Sequence, residues 1–299
     1  MFRTLRFYRL LGEWPEDENA LTAALQSKEF KPCGAFSEKS IGFEAPTQEL
    51  ADQEILCRTV AGCDLLQMRI QTRLLPAGVV NEQLIERVDA FKSRTGRDPG
   101  RKEKRELKEE VYGELLPKAL LKSDRVQVVA FRNENVIAIT TPSANTAEEL
   151  LGYLREALGS LQIVPLEYRR SAHELLTQIF LGQGPEDFVL GRECRMKDSS
   201  EYKSIVNWQD MDLGARAVRA HVNEGLLVDR LAVRFDTVLT AVLDEDLVVR
   251  KLKLEGLEEL DDADEEEPLA RLDAEFTLYT GVVRRLLESL KKNLGGFAT

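Results

Sequence analysis

The chain has 299 residues, 43% of them hydrophobic, and its 41 basic and 52 acidic residues leave a net charge of −11. That is enough apolar material for a core shared by two or three units, and too acidic a balance for a protein that is basic all over. A local basic surface stays compatible with the count, because a field depends on where the charges sit.

Residues 2–10 read as a strand, with Leu5 and Phe7 alternating against Arg6 and Tyr8. Pro15 and the acidic Glu16-Asp17-Glu18 then open a helix to about Ser27, with Leu21, Ala24 and Leu25 facing inward. A turn-rich link at Lys31-Pro32-Cys33-Gly34 leads to strands near residues 55–60 and 65–70. In the second, Leu66, Met68 and Ile70 alternate with Gln67, Arg69 and Gln71, the pattern of a sheet wet on one face.

From Pro76 to Lys122 the period changes to helical. Leu84, Ile85 and Val88 form one stripe with Asn81 as a cap; Asp98-Pro99 supplies the N-cap and N1 pair of a second helix carrying Leu107, Val111 and Leu115. The pair predicts a helical hairpin projecting from the sheet. Residues 126–131 and 136–140 form a β-hairpin, and Thr146 with Glu149 predicts a capping box for a helix ended by Gly159. Farther on, Leu231, Val233 and Phe235 alternate, and residues 237–243 and 247–254 continue a meander before an acidic loop and a last helix. The fold class is therefore α+β: an N-terminal unit from residues 1–75 with 125–165, a helical tip at 76–124, and a C-terminal unit at 166–299.

No segment has the roughly 18 consecutive apolar residues of a membrane span. Residues 1–10 interleave Arg3, Arg6 and Arg9 with their apolar positions, so no signal peptide is expected. Cys33, Cys57, Cys63 and Cys194 form no CxxC pair, and the only histidines are His173 and His221, so neither zinc nor any other cofactor is expected. Reduced thiols in a cytosolic protein are the plain reading. His221 shares a helix face with Ala217, Val218 and Val222 and reads as half-buried; His173 reads as a capping or surface residue. There is no GxSxG elbow, Walker A loop or GxGxxG turn, and Gly182-Gln183-Gly184 runs into Pro185 with no lysine to grip phosphate. No catalytic residue is assigned.

Charge is polarised along the chain. Residues 92–108 hold eight cations against Asp98, Glu103 and Glu106, whereas residues 255–275 hold eleven acids against Arg271 alone. The basic run is either a solvated helix start, partly neutralised by Glu103, Glu106, Glu109 and Glu110, or a surface that contacts phosphates. No aromatic interleaves it, which disfavours stacking on single strands. The run Asp261-Asp262-Ala263-Asp264-Glu265-Glu266-Glu267 is either a solvated loop or a surface that repels or mimics DNA. In the last helix Leu269, Leu272, Phe276, Tyr279, Val283, Leu286 and Leu290 recur at alternating spacings of three and four, a stripe that either packs on the chain's own sheet or forms a dimer seam.

Several segments together resemble the bacterial recombination-associated RdgC family. They are Phe30-Lys31-Pro32-Cys33-Gly34, Leu74-Leu75-Pro76-Ala77-Gly78-Val79-Val80, Gly100-Arg101-Lys102-Glu103-Lys104-Arg105-Glu106-Leu107-Lys108-Glu109-Glu110 and Leu115-Leu116-Pro117-Lys118-Ala119. Later come Ala147-Glu148-Glu149-Leu150-Leu151, the stretch from Leu154 through Leu161, Val164-Pro165-Leu166 and Leu294-Gly295-Gly296. The resemblance implies a horseshoe subunit closing into a ring-shaped homodimer around a cationic hole. It implies sequence-independent binding of double-stranded DNA, restraint of RecA-dependent recombination, no catalysis, and a cytoplasmic, nucleoid-associated protein with no membrane partner. The candidate DNA-facing residues are Arg73, Arg97, Arg101, Lys102, Lys104, Arg105, Lys108, Lys118 and Gln209. Leu116 and Leu120 at the tip, and Phe276, Tyr279, Val283, Leu286 and Leu290 at the base, are the candidate dimer-interface residues. The chain departs from the family at Leu120, where phenylalanine is frequent, at Trp208, where a basic residue is common, and at Leu226, where lysine is usual.

Two other classes remain open. An acidic module at 255–275 would bind a recombination or replication partner without DNA, and a nuclease would use Glu103, Glu106 and Glu109, although one helix of alternating charge makes a poor metal cage.

Overall fold

The computed structural model describes residues 2–198, 204–255 and 267–298. The first half runs β1 (Thr4–Leu10), α1 (Glu18–Gln26), β2 (Lys39–Glu44), α2 (Gln48–Ala51), β3 (Cys57–Val60) and β4 (Cys63–Leu74). A helical hairpin, α3 (Ala77–Thr95) and α4 (Arg101–Leu115), then leads through a 3-10 turn at Leu116–Lys118 into β5 (Leu120–Phe131), β6 (Val136–Ile139), α5 (Ala144–Leu158) and β7 (Ile163–Pro165). The second half comprises α6 (Ala172–Leu181), β8 (Phe188–Asp198), β9 (Ile205–Gln209) and α7 (Arg216–Asn223). It continues through β10 (Leu226–Phe235), β11 (Leu239–Asp244), β12 (Val249–Leu254) and α8 (Pro268–Asn293).

The strands pair antiparallel in the order β2-β4-β5-β6-β1-β12-β11-β10-β8-β9, with β3 on β4 and β7 on β1. β1 is the joint. Its Arg6–Arg9 stretch pairs with β6, whereas Thr4 and Leu5 pair with Arg250 and Val249 of β12. The strand's period of two sends its side chains into two separate cores. Leu5 and Phe7 join the core with α6, α7 and α8, while Tyr8 and Leu10 join the core under α1 and α5. The last four residues of β5 are likewise buried on both faces, which accounts for the unbroken Val128-Val129-Ala130-Phe131.

The last helix settles the alternative that its periodicity left open. Phe276, Tyr279, Val283, Leu286 and Leu290 are all buried in the chain's own core, and Phe2 packs edge-on against Phe276 and Tyr279 at ring-centroid distances of 6.2 and 5.4 Å. These five side chains already have their apolar partners, so their assignment to a seam between copies is corrected to the interior.

Three caps differ from expectation, the first being that of the Ala77–Thr95 helix, which starts after Pro76 and so has Asn81 inside it. α5 starts one turn early, with Ser143 as N-cap accepting from the Thr146 N–H, and Glu149 ion-pairs with Lys39 at 2.6 Å instead of closing a capping box. α4 begins after Gly100, whose N–H donates to the Glu103 carboxylate at 2.7 Å, so Asp98-Pro99 lies before the cap. β2 is absent from the sequence reading because Gly42 breaks its pattern. Residue 42 must be glycine for close packing: a Cβ there would sit 2.4 Å from the Phe30 Cα.

Candidate nucleic-acid interface

The basic run lies on the hairpin of α3 and α4. α3 starts at Pro76 and stops at Gly96, whose φ of 71° is the left-handed conformation glycine tolerates. Val80 and Leu84 on α3, Val111 on α4 and Leu116 beyond it are buried where the two helices pack. Two contacts fix the hairpin's root to the sheet. The Tyr112 hydroxyl donates to Glu38 at 2.8 Å, and this hydrogen bond raises the phenol's pKa because ionisation would give it up. The Arg73 guanidinium donates to the carbonyls of Gly34, Pro117 and Ala119 at 3.1–3.3 Å. Arg73, a candidate DNA contact, is half-buried and braces the hairpin's root through these bonds.

Ion pairing divides the remaining cations. Arg97 grips Glu103 through two hydrogen bonds of 2.7 and 2.8 Å. That grip and the Gly100 N–H hold the Glu103 carboxyl down at about 2. Lys92 pairs with Asp98 at 3.0 Å, Lys102 with Glu106 at 3.8 Å and Arg105 with Glu109 at 3.4 Å, all exposed. Among the described residues, Arg101, Lys104, Lys108 and Lys118 have no ion-pair partner. Arg101, Lys104 and Lys108 stand at i, i+3 and i+7 on α4, so they share one solvent face. Exposed pairs contribute little and exchange readily, so Lys102 and Arg105 stay available to a stronger anion.

Leu116 is only 5% exposed and belongs to the hairpin's own seam, which corrects it as an interface residue. Leu120 is 76% exposed. It opens β5 opposite Leu74 at the root of the hairpin, and this cross-strand pair stands in solvent.

Gln209 is exposed on β9, at the far end of the strand order from β2 and β4, so it is not part of the hairpin surface. Trp208 beside it packs on the C-terminal core and on the His221 ring at 5.2 Å. The acidic run at 261–267 lies, apart from Glu267, outside the described residues.

A second cationic surface escaped the sequence reading. With Cys194, Met196, Leu231 and Val233 in the core, Arg195, Lys197, Arg230 and Arg234 face the other side of the C-terminal sheet. The signal was present as cations interleaved with the apolar positions of Leu231, Val233 and Phe235. Most are countered: Arg195 by the buried Asp229 at 2.6 Å, Arg250 by the buried Asp244 at 2.8 Å, Lys197 by Glu245 and Arg234 by Glu255.

Among the described residues, no three His, Cys, Asp or Glu side chains converge as a metal ion requires, and no helix is long and apolar enough to cross a membrane. His173 is occupied structurally, with Nδ1 at 2.9 Å from the Val228 carbonyl and Nε2 at 3.3 Å from Glu245.

Comparison with known proteins places this geometry. The family model described as "Putative exonuclease, RdgC" matches residues 1–297. A "Recombination-associated protein RdgC" of Tolumonas auensis is 31% identical over 298 residues, covering 99% of this chain and 98% of that protein. Proteins of the same name from Stenotrophomonas maltophilia and Xanthomonas axonopodis pv. citri are each 33% identical over 296 residues, covering 97% and 98% of this chain and 97% of each relative. The match runs through the sheet, the hairpin and the last helix alike, and the chain belongs to the RdgC family of recombination-associated proteins.

Proposed function

We propose that the chain binds double-stranded DNA without sequence preference, and that by occupying duplex in the nucleoid it restrains RecA-dependent recombination. The observation that carries this reading is the face of α4 on which Arg101, Lys104 and Lys108 stand exposed without counter-ions. Cations held on a rigid helix attract phosphates whatever the bases, because release of the condensed counterions, rather than contact with base edges, supplies the free energy. An overall charge of −11 is compatible with this, since attraction depends on the local field.

A homodimer closed into a ring is part of the proposal. The exposed pair Leu74 and Leu120, opposite one another on β4 and β5, supports one seam at the hairpin root. With the α8 stripe occupied internally, the second seam falls to the outer edge of β9, which ends the strand order and carries Ile205 at 58% exposure. Retention on closed circular plasmid but not on the same plasmid linearised, at high ionic strength, tests the ring; equal loss from both contradicts threading.

The protein acts here as a binder rather than a nuclease. Glu103, Glu106 and Glu109 are each ion-paired with a cation of the hairpin instead of converging on one point. Magnesium-dependent release of nucleotides from linear duplex by the purified protein would overturn that part of the reading.

A further inference from the structure

The hairpin also carries a groove whose apolar side phosphate contacts do not use. Leu84, Ile85 and Val88 line its α3 side, Arg101, Lys104 and Lys108 its α4 side, and it encloses about 520 Å³. Both sets follow helical spacing, so each presents a single face over about two turns. Leu84 is buried, Val88 is half-buried, and Ile85 is 62% exposed. A duplex backbone offers phosphates to the cations but nothing apolar to bury against Ile85.

We infer that this groove receives an acidic amphipathic helix of a partner protein. Apolar side chains two turns apart would cover Leu84, Ile85 and Val88, while carboxylates on the flanking face would meet the three cations. Charge complementarity selects the occupant: Arg101, Lys104 and Lys108 have no counter-ions among the described residues, and a basic helix would be repelled. The inference rests on the DNA reading in one respect. The same cations serve carboxylate and phosphate, so partner helix and duplex exclude each other, and an acidic partner would remove the protein from DNA.

The probe is a synthetic helical peptide of about 14 residues, with leucines at two-turn spacing flanked by glutamates. A scrambled peptide of the same composition is titrated beside it onto the full-length protein by fluorescence anisotropy, without DNA. The designed peptide is expected to bind at least about tenfold more tightly than the scrambled one. Ile85→Ser, at an exposed position that leaves the fold intact by circular dichroism, should weaken the designed peptide by about tenfold and leave affinity for a short duplex unchanged. Lys104→Glu should weaken both, and unlabelled duplex should displace the peptide.

Equal binding of the scrambled peptide, or no effect of Ile85→Ser, overturns the groove. Peptide retained on a duplex-saturated protein overturns the exclusion. Absence of peptide binding with self-association that Ile85→Ser abolishes assigns the groove to a second copy and overturns the inference. Peptide binding as described in a protein that binds no duplex leaves the groove standing and overturns the DNA reading instead.

Discussion

Asp64 and Arg132 are joined by two hydrogen bonds of 2.7 Å, with the Asp64 side chain wholly buried. Trp14 Nε1 and the Thr59 hydroxyl donate to the same carboxylate at 2.7 and 2.6 Å. Four hydrogen bonds from three residues, Trp14, Thr59 and Arg132, thus converge on one buried anion at the start of β4. Asp64→Ala would strand an arginine, an indole and a hydroxyl together, so it is expected to destabilise the protein by about 3–5 kcal/mol. Urea unfolding measures this, and a loss below about 1 kcal/mol would contradict the network's role.

The interior position of the α8 stripe makes a different demand from a seam. Phe276→Ala should lower stability by about 3–5 kcal/mol, and Leu286→Ala by about 2–5 kcal/mol, through lost burial and a residual cavity. Both variants should keep the wild-type sedimentation coefficient under native conditions. A shift to slower sedimentation with an unchanged urea midpoint would return the stripe to an interface between copies.

Burial pushes the thiols of Cys57, Cys63 and Cys194 up from 9.0 to about 12, because desolvation disfavours the thiolate. Their folded pKa lies above the unfolded value, so their contribution is intact below pH about 9 and is lost as the pH rises toward about 12. Stability should therefore fall steeply across that alkaline window. At pH 8 these three thiols should resist an aromatic disulfide reagent that titrates all four cysteines in denaturant. Fast reaction of more than one thiol in the native protein would contradict this.

The hairpin was legible in the sequence, because two long helical periods bracket a break of Gly, Asp and Pro. The basic cluster was legible as composition, but its division into engaged and free cations was not. Arg97 meets Glu103 across the inter-helix break rather than along one helix, outside the i,i+3 and i,i+4 rule that finds helical pairs. Arg73 is held by backbone carbonyls that only the fold brings together. Gly42 weakened the pattern of β2 for a reason visible only in three dimensions, the approach of Phe30. Ser143 and Thr146 offer the same hydroxyl to a helix start, and local chemistry alone does not choose between them. For α8 the period was plain, but a period names a face and not what covers it.

Binding of two unrelated duplexes across a salt series, by wild type and by the triple variant R101E/K104E/K108E, tests the central claim most directly. The wild type should bind both duplexes alike, with a log–log slope of about −0.9 for each phosphate contacted. The triple variant should bind both more weakly, with a shallower slope, while K102E/R105E, whose side chains are already paired, should lose less. Unchanged affinity and slope in the triple variant, or a strong preference for one duplex at physiological salt, would contradict the account.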